Sequence, residues 1–127
     1  MPLPIFLVED NPLIRENLIP AMEDLVDAMF VGTAASESEA IAWLESNDAL
    51  WSLAVVDLFL AEGSGLGVVR WCRNRRAGQR VVILTNYATA EIARQAVELG
   101  ADAVFDKSTQ LDAFFDYCVQ QHKASRN

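Results

Sequence analysis

Short, continuous apolar runs alternate along this chain with longer stretches in which apolar positions recur every three or four residues. Leu3–Val8 (LPIFLV), residues 28–33 (AMFVGT), residues 53–57 (LAVVD), residues 81–84 (VVIL) and residues 103–105 (AVF) are the short runs. Their aliphatic and β-branched content suits strands covered on both faces, as in a parallel sheet. The stretches between them carry helical periodicity. Asn11 caps the first helix, Pro12 occupies its favoured first turn, and Ile14, Leu18, Met22 and Leu25 form a core face. Pro20 lies inside that helix and predicts a kink or an early break.

Ser36-Glu37-Ser38-Glu39 reads as a capping box that opens a second helix burying Ile41, Leu44 and Trp43. Ser64 starts a third, with Leu66, Val69 and Cys72 inward and an end near Ala77-Gly78. Residues 89–99 form a fourth, stopped by Gly100. The last begins near Thr109 and carries the stripe Leu111, Phe114, Phe115, Cys118 and Val119. Five strand–helix alternations predict an α/β fold, a parallel sheet with helices on both faces.

The strand ends carry the candidate chemistry. The first run delivers Glu9 and Asp10, the third Asp57, the fourth Thr85 and the fifth Lys107. In a parallel sheet these meet along one edge, beyond the carboxyl ends of the strands, where ligands bind. Each alone reads as a solvated residue at a strand end; together they point to a site. Clustered carboxylates repel one another, and a hard divalent cation relieves them. Magnesium takes oxygen ligands, commonly one or two carboxylates, waters and a phosphate oxygen. Asp57 is then a candidate nucleophile, and Thr85 and Lys107 are suited to holding phosphoryl oxygens.

Composition narrows the class. With 127 residues, 52% hydrophobic, the chain has the length of one domain and enough apolar surface for a core, so residues 1–127 are taken as one domain with no output domain. A formal charge of −8 argues against nucleic-acid and anionic-membrane partners. Cys72 and Cys118 lie far apart with no metal-like spacing, which fits reduced thiols. No signal peptide or membrane-spanning run is legible, so a cytoplasmic location is expected.

The set Val8-Glu9-Asp10-Asn11, Val56-Asp57-Leu58, Gly63-Ser64-Gly65-Leu66, Ile83-Leu84-Thr85 and Gly100-Ala101-Asp102 leading to Lys107 resembles the receiver domain of bacterial two-component response regulators. No one of these motifs is specific, but their order and spacing are, and they cover essentially the whole chain. The resemblance implies a flavodoxin-like, doubly wound five-stranded parallel sheet of order 2-1-3-4-5. It implies that Asp57 accepts a phosphoryl group from a histidine kinase or a histidine phosphotransfer protein. It also implies that Asp10, Asp57 and the backbone carbonyl of Phe59 bind Mg2+, with Glu9 helping through water. Output then passes to a downstream protein effector through the fourth helix, fifth strand and fifth helix. A homodimer through the same face stays open. The chain is expected to be a signalling domain that assists only its own phosphorylation and dephosphorylation, not an enzyme.

Three positions depart from the family pattern. Val104 stands where the family carries Tyr or Phe, and period-two alternation puts Phe105 on the opposite face. Coupling of Thr85 to an aromatic rotamer is therefore not expected, and the loop at Asn86-Tyr87 is the other place for a switch. Ser108 replaces the usual proline after Lys107, which makes a cis peptide unfavourable by ~3 kcal/mol and predicts a less fixed loop. Asn86 is larger than the usual residue after the hydroxyl position and is expected to narrow access. The resemblance implies that Phe59 and Tyr87 flank the path a hydrolytic water takes in the family, and neither is an effective base at neutral pH, so a long-lived aspartyl phosphate is expected.

The remaining signals are weaker. Arg70, Arg73, Arg75, Arg76 and Arg80 read first as a solvated face near a helix C-terminus and second as a docking patch. His122 has no sequence neighbours that would make it a phosphohistidine. Two rival functions follow from the departures. One is a degenerate receiver acting as a phosphorylation-independent adaptor. The other is a phosphatase, disfavoured because Phe59 sits where a second Asp would serve as acid.

Overall fold

A computed structural model describes residues 2–86 and 88–125. Strands β1 (Leu3–Val8), β2 (Ala28–Ala34), β3 (Leu53–Val56), β4 (Arg80–Thr85) and β5 (Ala103–Asp106) form one parallel sheet in the order β2-β1-β3-β4-β5. Helices α1 (Pro12–Val26), α2 (Glu37–Ser46), α3 (Gly65–Trp71), α4 (Ala90–Glu98) and α5 (Leu111–Ser125) complete the flavodoxin-like arrangement. Alternate residues of each strand feed two cores. Phe6, Val8, Ala54, Val56, Val81 and Ile83 face α2, α3 and α4 through Leu44, Val68, Val69 and Ala96. Ile5, Leu7, Leu53, Val55, Val82 and Leu84 face α1 and α5 through Leu18, Met22, Phe114 and Cys118. Burial on both faces is why the inner strands β1, β3 and β4 read as unbroken apolar runs.

Several local expectations change. Helix α1 runs unbroken through Pro20, which is exposed, as is Glu16, whose carbonyl loses a partner there. Val26 rather than Leu25 closes its core face; Leu25 is exposed. Both lie one turn beyond Met22, and the helical spacing alone does not choose between them. Of the residues expected inside α2, Leu44 is buried, Ile41 is half-buried, and Trp43 stacks on Phe6 with ring centroids 4.1 Å apart. The Ser36 hydroxyl accepts from Glu39 N, but the Glu39 carboxylate reaches back to Ala35 N, one residue before the expected partner.

Helix α3 ends at Trp71 and passes into a 3₁₀ turn, Cys72–Asn74, short of the expected 77–78. Arg75 explains the early stop. Its guanidinium donates to the carbonyls of Cys72, Gln79 and Gly100 and to Asp102 Oδ2, at 2.8–3.0 Å. It ties the end of α3 to the α4–β5 connection, and so Arg75 belongs to the frame rather than to the solvated face expected for it or to a docking patch.

At β5 the two faces separate as expected. Val104 packs into the core beneath α2–α4, whereas Phe105 lies on the other side against Phe114 and Tyr117, with centroids 5.9 and 5.7 Å away. The loop after Lys107 is better fixed than its sequence suggested. Asp106 Oδ1 accepts from Ser108 N at 2.7 Å and Thr109 N at 3.2 Å, and Gln110 Oε1 accepts from Asp106 N at 2.9 Å. No peptide among the described residues is cis.

Candidate functional site

Each strand carries its terminal side chain to the same edge because the parallel ladder continues one step past the apolar run. Glu9 N donates to Ala34 O, and Asp57 N donates to Val8 O, both at 2.9 Å. Glu9 turns inward and is 2% exposed, Asp57 is 8% exposed, and Asp10 is half-buried. Thr85, fully buried at the end of β4, accepts at its carbonyl from Lys107 N at 2.9 Å. Glu9, Asp10, Asp57, Thr85, Lys107 and Phe59 thus line one cleft of about 200 Å³, with Asn11, Ile14 and Asn86 at its rim. A larger groove of about 700 Å³ between α2 and α3 holds none of these groups.

Lys107 Nζ pairs with Glu9 Oε1 and lies 3.3 Å from Asp57 Oδ2. Asn11 N donates to Glu9 Oε2 at 3.2 Å, and Ala61 N donates to Asp10 Oδ2 at 2.6 Å. Phe59 N donates to Asp57 Oδ1 at 3.3 Å. Burial pushes the Glu9 carboxyl above its ordinary range, opposed by the Lys107 hydrogen bond and reinforced by the nearby Asp57 charge. One carboxylate oxygen from each of Glu9, Asp10 and Asp57 lies within 4.8 Å of the others. Three hard oxygen donors at that spacing fit a divalent cation of the magnesium type.

The loop after Asp57 is held close by its glycines. Gly65 N donates to Leu58 O at 3.0 Å, and a Cβ at Gly65 would fall 2.2 Å from Asp57 O and 2.7 Å from Leu58 Cα. Only glycine lets α3 begin this near Asp57. Ser64 caps α3 through Leu66 N, and Glu37 Oε1 accepts from Ser64 N at 2.8 Å. The Gly63-Ser64-Gly65 run is thus a turn and helix start, as read from the sequence.

Phe59 is half exposed beside the cleft, Asn86 is exposed, and Tyr87 lies outside the described residues. His122 sits in the last turn of α5 and is not among the residues that line the cleft. Sequence reasoning missed Arg15, whose Nη1 donates to Glu9 O at 2.5 Å. Its partner is a backbone carbonyl, which no residue pattern announces.

A five-stranded parallel sheet of order β2-β1-β3-β4-β5 with an acid–lysine cleft at one edge is the arrangement of a receiver-type signalling domain. The chain belongs to the response regulator receiver domain family, which it matches over residues 5–118. It is similar to the photosynthetic apparatus regulatory protein RegA of Cereibacter sphaeroides, 35% identical over 81% of this chain and 54% of that protein. It is also similar to the acid tolerance regulatory protein ActR of Rhizobium meliloti, 32% identical over 92% of this chain and 58% of that protein. The chain spans little more than half the length of these relatives. In fold it is similar to the receiver domain of the Francisella response regulator 1452, at a TM-score of 0.82 and 16% identity over 97% of this chain and 98% of that one. A signal receiver domain from Colwellia psychrerythraea 34H matches at 0.82 and 19% identity, over 95% and 98% of the two chains. Among the described residues no helix is long and apolar enough to cross a membrane.

Proposed function

We propose that Asp57 is the phosphoacceptor of this receiver domain, and that its donor is a phosphohistidine on a histidine kinase or a phosphotransfer protein. The observation that carries the reading is the convergence of Lys107 on Glu9 and Asp57 at the end of the sheet. In the transfer, an Asp57 carboxylate oxygen forms a bond to phosphorus as the phosphorus–nitrogen bond to the histidine breaks, and the imidazole leaves with the electron pair and takes a proton. Asp57 is held for attack by Phe59 N and Lys107. Lys107 and Thr85 stand beside the acceptor to take the phosphoryl oxygens by charge and by hydrogen bond. Asp10, Asp57 and the carbonyl of Phe59 would hold Mg2+, with Glu9 acting through water. The ion, when bound, supplies charge neutralisation at the phosphoryl oxygens.

Output is proposed to pass to a protein effector across α4, β5 and α5, where Val97 and Leu111 are exposed. A phosphoryl group adds about two negative charges beside the Asn86 loop, enough to bias its conformation. The domain assists its own phosphorylation and dephosphorylation only. The test is incubation with Mg2+ and a small phosphodonor, followed by intact-mass measurement. An acid-labile phosphoryl adduct absent from Asp57→Asn is expected; no adduct, with no response to Mg2+, points to a phosphorylation-independent adaptor.

A further inference from the structure

We propose that Arg15 is a positioning residue for the Glu9–Asp10 pair, and that it sets the affinity of the acidic cleft for a divalent cation. The inference rests on the reading of Asp10 and Glu9 as groups that hold Mg2+. Glu9 is held at four points. Its N–H is bound by Ala34 O, its two carboxylate oxygens by Lys107 Nζ and Asn11 N, and its carbonyl by Arg15 Nη1. Three of these fix the residue and its side chain. The fourth acts on the next one.

The Glu9 carbonyl and the Asp10 N–H belong to one rigid peptide plane. Gripping the oxygen from the first turn of α1 therefore fixes the direction in which the chain enters Asp10. On its other side Asp10 is held at its carboxylate by Ala61 N, from the β3–α3 loop. Asp10 is thus oriented between a hydrogen bond on its preceding carbonyl and one on its own carboxylate. The Arg15 bond is charge-assisted and half-buried, which makes it stronger than a neutral pair at the surface.

Charge and position act in opposite directions here, which makes the inference testable by sign. A guanidinium bound to the Glu9 carbonyl brings positive charge that repels an incoming cation, so its removal tightens Mg2+ if charge is all that matters. If Arg15 positions Asp10, its removal weakens Mg2+, by roughly tenfold on the scale of residues that orient metal ligands.

The experiment titrates magnesium chloride into the wild type, Arg15→Met and Arg15→Lys by calorimetry, with thermal unfolding of each as the control for folding. Phosphoryl uptake from a small donor is measured across the same Mg2+ range. Arg15→Met is expected to bind Mg2+ roughly tenfold more weakly. Its uptake should need more Mg2+ while recovering most of its rate at saturation, and Arg15→Lys should restore most of the affinity. Arg15→Gln replaces Arg15→Met in the titration if the latter does not fold. Unchanged or tighter binding in the variant without the guanidinium overturns the inference alone. A wild type that does not bind Mg2+ overturns the proposed function, and the inference with it.

Discussion

Lys107 places one ammonium on two carboxylates that follow different strands, pairing with Glu9 just past β1 and lying 3.3 Å from Asp57 just past β3. The lysine and Glu9 side chains are 11% and 3% exposed, so solvent screens this pair little. Removing one partner of a buried pair leaves an uncompensated charge, which is far more destabilising than losing a surface bridge. Lys107→Met is expected to lower unfolding stability by about 3 kcal/mol in urea denaturation. Added Mg2+ should recover part of that loss, because a ligand that binds only the folded state stabilises it.

Gly65 allows α3 to start against the backbone of Asp57 and Leu58. A methyl group there meets main-chain atoms, which cannot swing aside as a flexible side chain can. Gly65→Ala is expected to destabilise the fold by about 1–3 kcal/mol. It should also slow phosphoryl uptake, since the main chain it displaces includes that of Asp57 itself. Thermal melts and single-turnover labelling read the two effects separately.

Much of this architecture was legible because the strands are covered on both faces and read as continuous apolar runs that end at Glu9, Asp57, Thr85 and Lys107. The strand order came with the family resemblance rather than from periodicity. Helix limits were less legible. Leu25 and Val26 fit the same spacing, and α3 stops where Arg75 takes the Cys72 carbonyl, a side-chain-to-backbone bond that leaves no periodic trace. The Lys107–Glu9 pair joins residues 98 positions apart, so the convergence was expected but its partner was not. Asp106 shows the opposite case. An Asp followed by Lys-Ser-Thr is a recognisable turn former, and its bonds to Ser108 N and Thr109 N supply the order that a missing proline seemed to remove.

Phe59 is half exposed at the cleft and offers no base to an attacking water. Phe59→Asn opens that side and adds a polar group able to orient water. Its aspartyl phosphate is expected to decay several-fold faster than the wild type's, read by the loss of acid-labile label over time. An unchanged half-life would remove the ring from the account.

The two thiols give a pH signature of the core. Burial pushes Cys72 up to about 11 and Cys118 up to about 12, from an ordinary value of 9.0. A raised folded value means that the folded state keeps protons the unfolded chain loses. Stability from these groups is complete below pH 9 and is lost as pH rises toward 11 and 12. The double variant Cys72→Ala, Cys118→Ala, though less stable overall, should show a shallower decline in that window. Native thiols should also resist alkylation at pH 8 until denaturant is added.

The most direct measurement is intact mass after incubation with Mg2+ and a small phosphodonor, on the wild type and Asp57→Asn side by side. One acid-labile phosphoryl group on the wild type, none on the variant, and none when Mg2+ is chelated is the expected result. A wild type that stays unmodified, or a variant labelled as fully as the wild type, would contradict Asp57 as the acceptor.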